Sequence, residues 1–190
     1  LLSDDPRHLI AALNAVGIPA SISGPDGDPV VSVDGQGGRI PAAGAEVSVG
    51  NAGTAMRFLT AVLAAGGGTY IIDGDARMRQ RPIEDLLQAL RALGASAASI
   101  RGDGCPPVRV GGSGLPGGAC RLRGEKSSQY VSAILLAAPA SIHGIDLTID
   151  GALVSRPYVR LTIDTMRRFG VEVRSGEAEG RFTVRPGGRY

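Results

Sequence analysis

The chain has 190 residues, room for one large core or two small ones, and its 43% hydrophobic and 20% charged residues exclude a disordered polymer. A net charge of +2, with no basic stripe interleaved with aromatics, excludes an electrostatic nucleic-acid binder, and no apolar run reaches the roughly 18 residues of a membrane helix. Because 19 arginines stand against one lysine, Lys126, and glycine reaches 29 of 190, base bias in the gene colours the composition and raw arginine number says little about partners.

The opening LLSDDPRH has no charged segment followed by an apolar run and reads as mid-domain sequence. Residues 4–16 then place Leu9, Ile10, Leu13 and Val16 on one helix face, with Asp4 and Asp5 in the first turn, where the dipole favours them. The helix ends at Gly17, and Ile18–Ser23 and Val30–Val33 read as strands around a Gly/Pro/Asp turn. A longer set follows: strand Glu46–Val49, helix Gly53–Ala65, strand Thr69–Ile72, helix Pro82–Leu93, and strands Ala97–Ile100 and Val108–Val110. It repeats as strand Ala119–Arg123, helix Ser127–Ala138, strand Ile145–Ile149, helix Pro157–Phe169, and strands Val171–Arg174 and Arg181–Val184.

Two markers fix the period. Helix-ending glycines fall at Gly17, Gly94 and Gly170, intervals of 77 and 76, and the openings GNAGT and KSSQY begin 76 apart at Gly50 and Lys126. Self-similarity at this spacing means stacked structural units whose matching positions converge in space. The pattern predicts an α/β fold with a pseudo-threefold repeat of β-α-β-α-β-β units, forming one domain over 1–190. The units run from about 1 to 40 (the last α-β-β only), 41 to 116 and 117 to 190. Counting back one period from Asn51 places the first unit's missing helix opening about 25 residues before Leu1.

The helices divide into two kinds. Those that start at or near a proline are amphipathic and are expected on the outside, whereas Gly53–Ala65 and Ser127–Ala138 are apolar all round and should be buried. Two buried parallel helices bring their N-termini to one face, where free N–H groups and the dipole favour an anion. Their openings, Asn51-Ala52-Gly53-Thr54 and Ser127-Ser128-Gln129, are small and rich in hydrogen-bonding groups. Between a strand and a helix, Arg77, Arg79 and Arg81 alternate, a trio suited either to phosphate or to pairing with carboxylates and solvent. Cys105 and Cys120 fit neither a metal pattern nor a disulfide framework and read as reduced and structural, which points to a cytoplasmic compartment. With His8 and His143 far apart, no metal site is expected.

The runs GNAGTAMRFLTA, RMRQRPI, SSQYVSAILLAAP and SRPY, in this order and spacing, resemble the 5-enolpyruvylshikimate-3-phosphate synthases, and the likeness extends from SDDPRH to the closing RPGGRY. The resemblance implies one lobe of a two-lobed enolpyruvyl transferase, half of an inside-out α/β barrel, with the second lobe absent. The implied chemistry is that of the shikimate pathway of aromatic amino-acid biosynthesis. The 5-hydroxyl of shikimate 3-phosphate attacks C2 of phosphoenolpyruvate as C3 is protonated, and the tetrahedral intermediate loses phosphate, without metal or organic cofactor. By the same resemblance Ser127, Ser128, Gln129, Ser155 and Tyr158 hold shikimate 3-phosphate, while Asn51, Gly53, Arg77 and Gln129 face phosphoenolpyruvate. Arg77 and Gln129 stand closest to the chemistry.

The implied family's acid and base carboxylates belong to the second lobe and its Lys-Ser helix opening to the missing front of the first unit. The isolated chain is therefore expected to bind but not to turn over. The intact enzyme is expected to be monomeric and cytoplasmic, with no nucleic-acid or membrane partner, and its sensitivity to glyphosate is open. Phe58 and Ala76 stand where relatives have proline, and Lys126 where they have a small or apolar residue. For several residues a plainer role stands beside a ligand contact, which for Lys126 would be to a phosphate: a core aromatic for Tyr158, a helix cap for Ser128, an ion-pair partner for Arg57, a solvent-facing charge for Lys126. Two other readings compete, a UDP-N-acetylglucosamine enolpyruvyl transferase lobe and a non-catalytic binding module of the same fold.

Overall fold

The computed structural model describes residues 3–25, 27–176, 180–188 and 190; the predicted turn before Val30 includes Asp26, which lies outside the described residues. The elements in chain order are α1 (Asp4–Ala15), β1 (Ala20–Ser23), β2 (Val30–Val33), β3 (Gly44–Ser48), α2 (Gly53–Ala64), β4 (Thr69–Asp73), α3 (Glu84–Ala92), β5 (Ser96–Ser99), β6 (Val108–Gly111), β7 (Gly118–Arg123), α4 (Ser128–Ala137), β8 (Ile145–Asp150), α5 (Arg156–Arg168), β9 (Val173–Ser175) and β10 (Arg181–Val184). Every predicted helix and strand is present with ends moved by no more than two residues, and two 3-10 turns, Met78–Gln80 and Ala138–Ala140, join them.

The spaced glycines close three helices in one way. Gly17, Gly94 and Gly170 take φ of 84°, 88° and 88°. The residue after each donates its N–H back across the last turn: Ile18 to Leu13 at 2.9 Å, Ala95 to Leu90 at 3.0 Å and Val171 to Met166 at 2.9 Å. This Schellman closure needs a left-handed residue, which glycine adopts without a Cβ clash, and it sends the chain directly towards the next strand.

Two four-stranded sheets share one topology. In the first the order is β3-β4-β6-β5, and in the second β7-β8-β10-β9. Each has one parallel pair, β3 with β4 and β7 with β8, joined by a buried helix, and then two antiparallel pairings. The β1–β2 hairpin is antiparallel and exposes Val30, Val31 and Val33.

The core follows the hydrophobic pattern. α2 packs on α4, burying Met56, Leu59 and Leu63 from one and Val131, Ile134 and Leu135 from the other. The outer helices do not behave alike. α3 is wedged between β5 of its own sheet and β7 of the next, so that Leu86, Leu87, Ala89 and Leu90 are all buried and only Gln88, Arg91 and Ala92 in its body are exposed. The expectation that this helix covers an outer surface holds only for that strip, beside which Ala89 and Ala92 border a cleft against Cys120 and Arg121 of the second sheet. α5 packs on α4 and β9, buries Val159, Ile163 and Met166, and leaves Tyr158, Leu161 and Phe169 more than 60% exposed.

Candidate anion-binding site

The parallel arrangement of α2 and α4 sets their first turns side by side. Gln129, in the first turn of α4, donates from Nε2 to Thr54 Oγ1 in the first turn of α2 at 3.1 Å, joining the two openings. Beside them lies a cavity of about 840 Å³ whose walls include Thr54, Ser127, Ser128, Gln129, Ser155 and Tyr158. Arg81 and Lys126 also reach it, and no carboxylate is among its lining residues that are described. Hydroxyls, an amide, two cations and helix openings, with no counter-charge among the described lining residues, make a surface suited to anions.

The three helix starts are prepared differently. Ser127 is the N-cap of α4, its Oγ accepting from the Gln129 N–H at 3.2 Å. Ser128 is therefore not the cap; its side chain is buried at the cavity wall with no partner among the described residues. At α2 the position before Gly53 is Ala52, which offers no side-chain cap, so the first N–H groups stay open. Ser155 precedes α5 in a left-handed conformation, φ 52° and ψ 41°, also without a cap bond. A serine held there costs on the order of 1 kcal/mol and persists only where its surroundings dictate it. The result is a hydroxyl on the cavity wall.

Tyr158 is 67% exposed on the wall and is not a core aromatic. Asn51 and Gly53 sit at the opening of α2, where Arg81 Nη1 makes long contacts to the Asn51 carbonyl at 3.4 Å and to its Oδ1 at 3.5 Å. Lys126 is exposed and at the cavity edge, so the solvent reading and the ligand reading describe the same position. Phe58 is half-buried in the wall.

The arginine trio is divided by the 3-10 turn. Arg79 is taken by Asp73, Nη2 to Oδ2 at 2.6 Å, and this bond holds the Asp73 carboxyl below the usual carboxylate range. Arg77 is exposed and lines no part of the cavity. Arg81, for which both phosphate binding and pairing with carboxylates or solvent were open, turns inward. Its guanidinium lies across Gly53, where a Cβ would come within 2.7 Å of Nη2 and 2.8 Å of Nη1. Among the described residues it pairs with no carboxylate.

Beneath the surface Arg57 is 5% exposed. It is no ion-pair partner: Nη1 donates to the Gly53 carbonyl at 3.0 Å and Nη2 to the Pro82 carbonyl at 3.5 Å, while Nε has no partner. Burial lowers its pKa from the ordinary arginine value, Tyr130 works against that shift, and the like charge of Arg81 adds to it. Tyr130, from α4, donates to the same Pro82 carbonyl at 2.6 Å.

The described residues thus form an α/β fold with two sheets of like topology and a cavity lined by hydroxyls, an amide and cations. Over residues 1–190 the chain matches the family model for EPSP synthase (3-phosphoshikimate 1-carboxyvinyltransferase). It is 41% identical over 189 residues to the 3-phosphoshikimate 1-carboxyvinyltransferase of Shewanella denitrificans, covering 99% of this chain and 44% of that protein. It is 42% identical over 198 residues to the chloroplastic enzyme of that name from Arabidopsis thaliana, covering 100% and 38%. A solved EPSP synthase structure from Acinetobacter baumannii superposes with a TM-score of 0.81 at 29% identity, over 99% of this chain and 40% of that one. The chain belongs to the EPSP synthase family, and it spans about two fifths of the length of these relatives. None of its described helices is long and apolar enough to cross a membrane.

Proposed function

We propose that this chain holds shikimate 3-phosphate for enolpyruvyl transfer from phosphoenolpyruvate to the sugar-like ring's 5-hydroxyl, the activity by which its relatives are named. The observation that carries the reading is the cavity beside the first turns of α4 and α2 and along α5, with the hydroxyls of Ser128 and Ser155 on its wall and no carboxylate among its described lining residues. Ser127, Ser128 and Ser155 hold the phosphate of the shikimate ester, and Tyr158 lies along its ring. Gln129, tied to Thr54, stands between that ligand and phosphoenolpyruvate. Asn51 and Gly53 form the backbone seat of the second substrate. Arg77 was the arginine expected there; the inward turn of Arg81 supports Arg81 as the cation that meets the incoming anion.

Two polyanions have to be brought together, and helix openings plus guanidinium charge lower the cost of doing so. No carboxylate lines the cavity among the described residues, which supports a second lobe as the source of the proton-transfer groups. We place the protein in the cytoplasm, a setting that agrees with two free cysteines. The test is calorimetric. Shikimate 3-phosphate should bind this chain and UDP-N-acetylglucosamine should not, and mixing both substrates with the chain alone should yield no product. Binding of the sugar nucleotide in place of the shikimate ester, or steady turnover by the isolated chain, contradicts the reading.

A further inference from the structure

We propose that Tyr130 is a positioning residue: its hydroxyl, acting through the Pro82 carbonyl, sets the Arg81 guanidinium over the opening of α2. The argument starts from how little holds that guanidinium at its tip. Its contacts to Asn51 are 3.4 and 3.5 Å long, and no carboxylate pairs with it among the described residues. Asp85, from the opening of α3, is committed to Arg123 at 2.8 Å, and Asp73 to Arg79 at 2.6 Å. An arginine with a loosely held tip keeps its direction only if its backbone is fixed.

The residue next to it supplies that handle. Pro82 has no N–H, so its carbonyl is its one backbone hydrogen-bonding group. Two side chains converge on it from below: Tyr130 at 2.6 Å and Arg57 at 3.5 Å. The tyrosine bond is the short one. Both donors are buried, Tyr130 at 6% and Arg57 at 5% exposed, so their geometry is set by the α2–α4 core and not by solvent. Burial also raises the Tyr130 hydroxyl above its ordinary pKa, with Arg57 beside it working the other way, so it remains an O–H donor at neutral pH.

The tolerance at the far end is narrow. The guanidinium occupies the space where a Cβ on Gly53 would sit, so a small rotation of the Arg81–Pro82 segment takes it off the helix opening. Tyr130 comes from α4, Arg57 from α2 and Pro82 from the approach to α3, and one carbonyl thereby ties the elements that carry both sets of ligand groups. The consequence for ligand binding rests on the proposed reading of the site; the structural test does not.

That test compares ¹⁵N relaxation of the arginine Nε–Hε groups in the parent chain and in Tyr130→Phe, which removes one oxygen and leaves the packed ring. Arg79, bound to Asp73, and Arg77, exposed and without a carboxylate partner among the described residues, serve as the ordered and mobile references. Arg81 should be ordered like Arg79 in the parent and approach Arg77 in Tyr130→Phe, while Arg79 is unchanged. An Arg81 signal that is already as mobile as that of Arg77 in the parent, or that stays ordered in the variant, overturns the proposal. In a second arm, phosphoenolpyruvate should bind Tyr130→Phe about three- to tenfold more weakly, the scale of one net hydrogen bond. Shikimate 3-phosphate affinity should hold, and in an Arg81→Ala background the tyrosine change should add nothing. Equal weakening in both backgrounds also overturns the proposal. Failure of shikimate 3-phosphate to bind a chain whose arginine signals behave as expected removes the proposed function and leaves the positioning role standing.

Discussion

At the opening of α4 two adjacent serines do different work. The Ser127 oxygen accepts the Gln129 N–H, so Ser127→Ala should cost about 1 kcal/mol in urea unfolding, the usual value of a lost cap. Ser128 makes no such bond, so Ser128→Ala should leave the unfolding midpoint within experimental scatter while weakening shikimate 3-phosphate in calorimetry. Equal stability losses from the two changes would erase the distinction. The motif SSQ showed that a cap and a ligand group were present, but the assignment needed the helix start, which lies one residue beyond the predicted one. The arginines were harder to read. Alternation at Arg77, Arg79 and Arg81 looks like one face of an extended segment, but a 3-10 turn over Met78–Gln80 rotates the chain about three residues per turn and points the three side chains apart. Short 3-10 turns leave little periodic trace in sequence, so the alternation could not say which of the three arginines turns inward.

Among the elements, α3 and α5 show how far periodicity reaches. Both have an apolar stripe and both were expected outside, yet α3 lies between two sheets and α5 does not. Leu90→Ala, at a fully buried site in α3, should cost about 2–5 kcal/mol in urea unfolding. Leu161→Ala, exposed on α5, should change stability by no more than about 0.5 kcal/mol. The contrast was not legible, because an apolar stripe shows that one face is buried and says nothing of whether a second element packs beside it. Acid sensitivity also belongs here. The ion pair and hydrogen bonds from Arg181 on β10 hold the carboxyl of Asp146 on β8 below its ordinary range, and Arg79 does the same for Asp73. A carboxyl depressed in the folded state contributes stability above its unfolded pKa, about 3.9, and loses it as pH falls through the lower folded value. Urea midpoints should fall below about pH 4, and Asp146→Asn should flatten that limb. An unchanged limb in the variant would place the acid-sensitive groups elsewhere.

For the molecule as a whole, the repeat was the strongest signal because it rests on glycines with one conformational job. The three helix-closing glycines share positive φ, and the two complete sheets share strand order. Global packing also decides thiol chemistry. Burial, with Asp146 adding to it, pushes the Cys120 thiol up to about 12, so a thiol reagent at pH 8 should label only Cys105 in the folded chain and both cysteines in denaturant. Rapid double labelling without denaturant would mean that the sheet around β7 opens. The central claim is that the α4 and α5 openings form the shikimate 3-phosphate seat, and backbone amide NMR during titration tests it most directly. The account predicts saturable shifts clustered at Ser127–Tyr130 and Ser155–Val159. Shifts centred elsewhere, or none in those two segments, would contradict it.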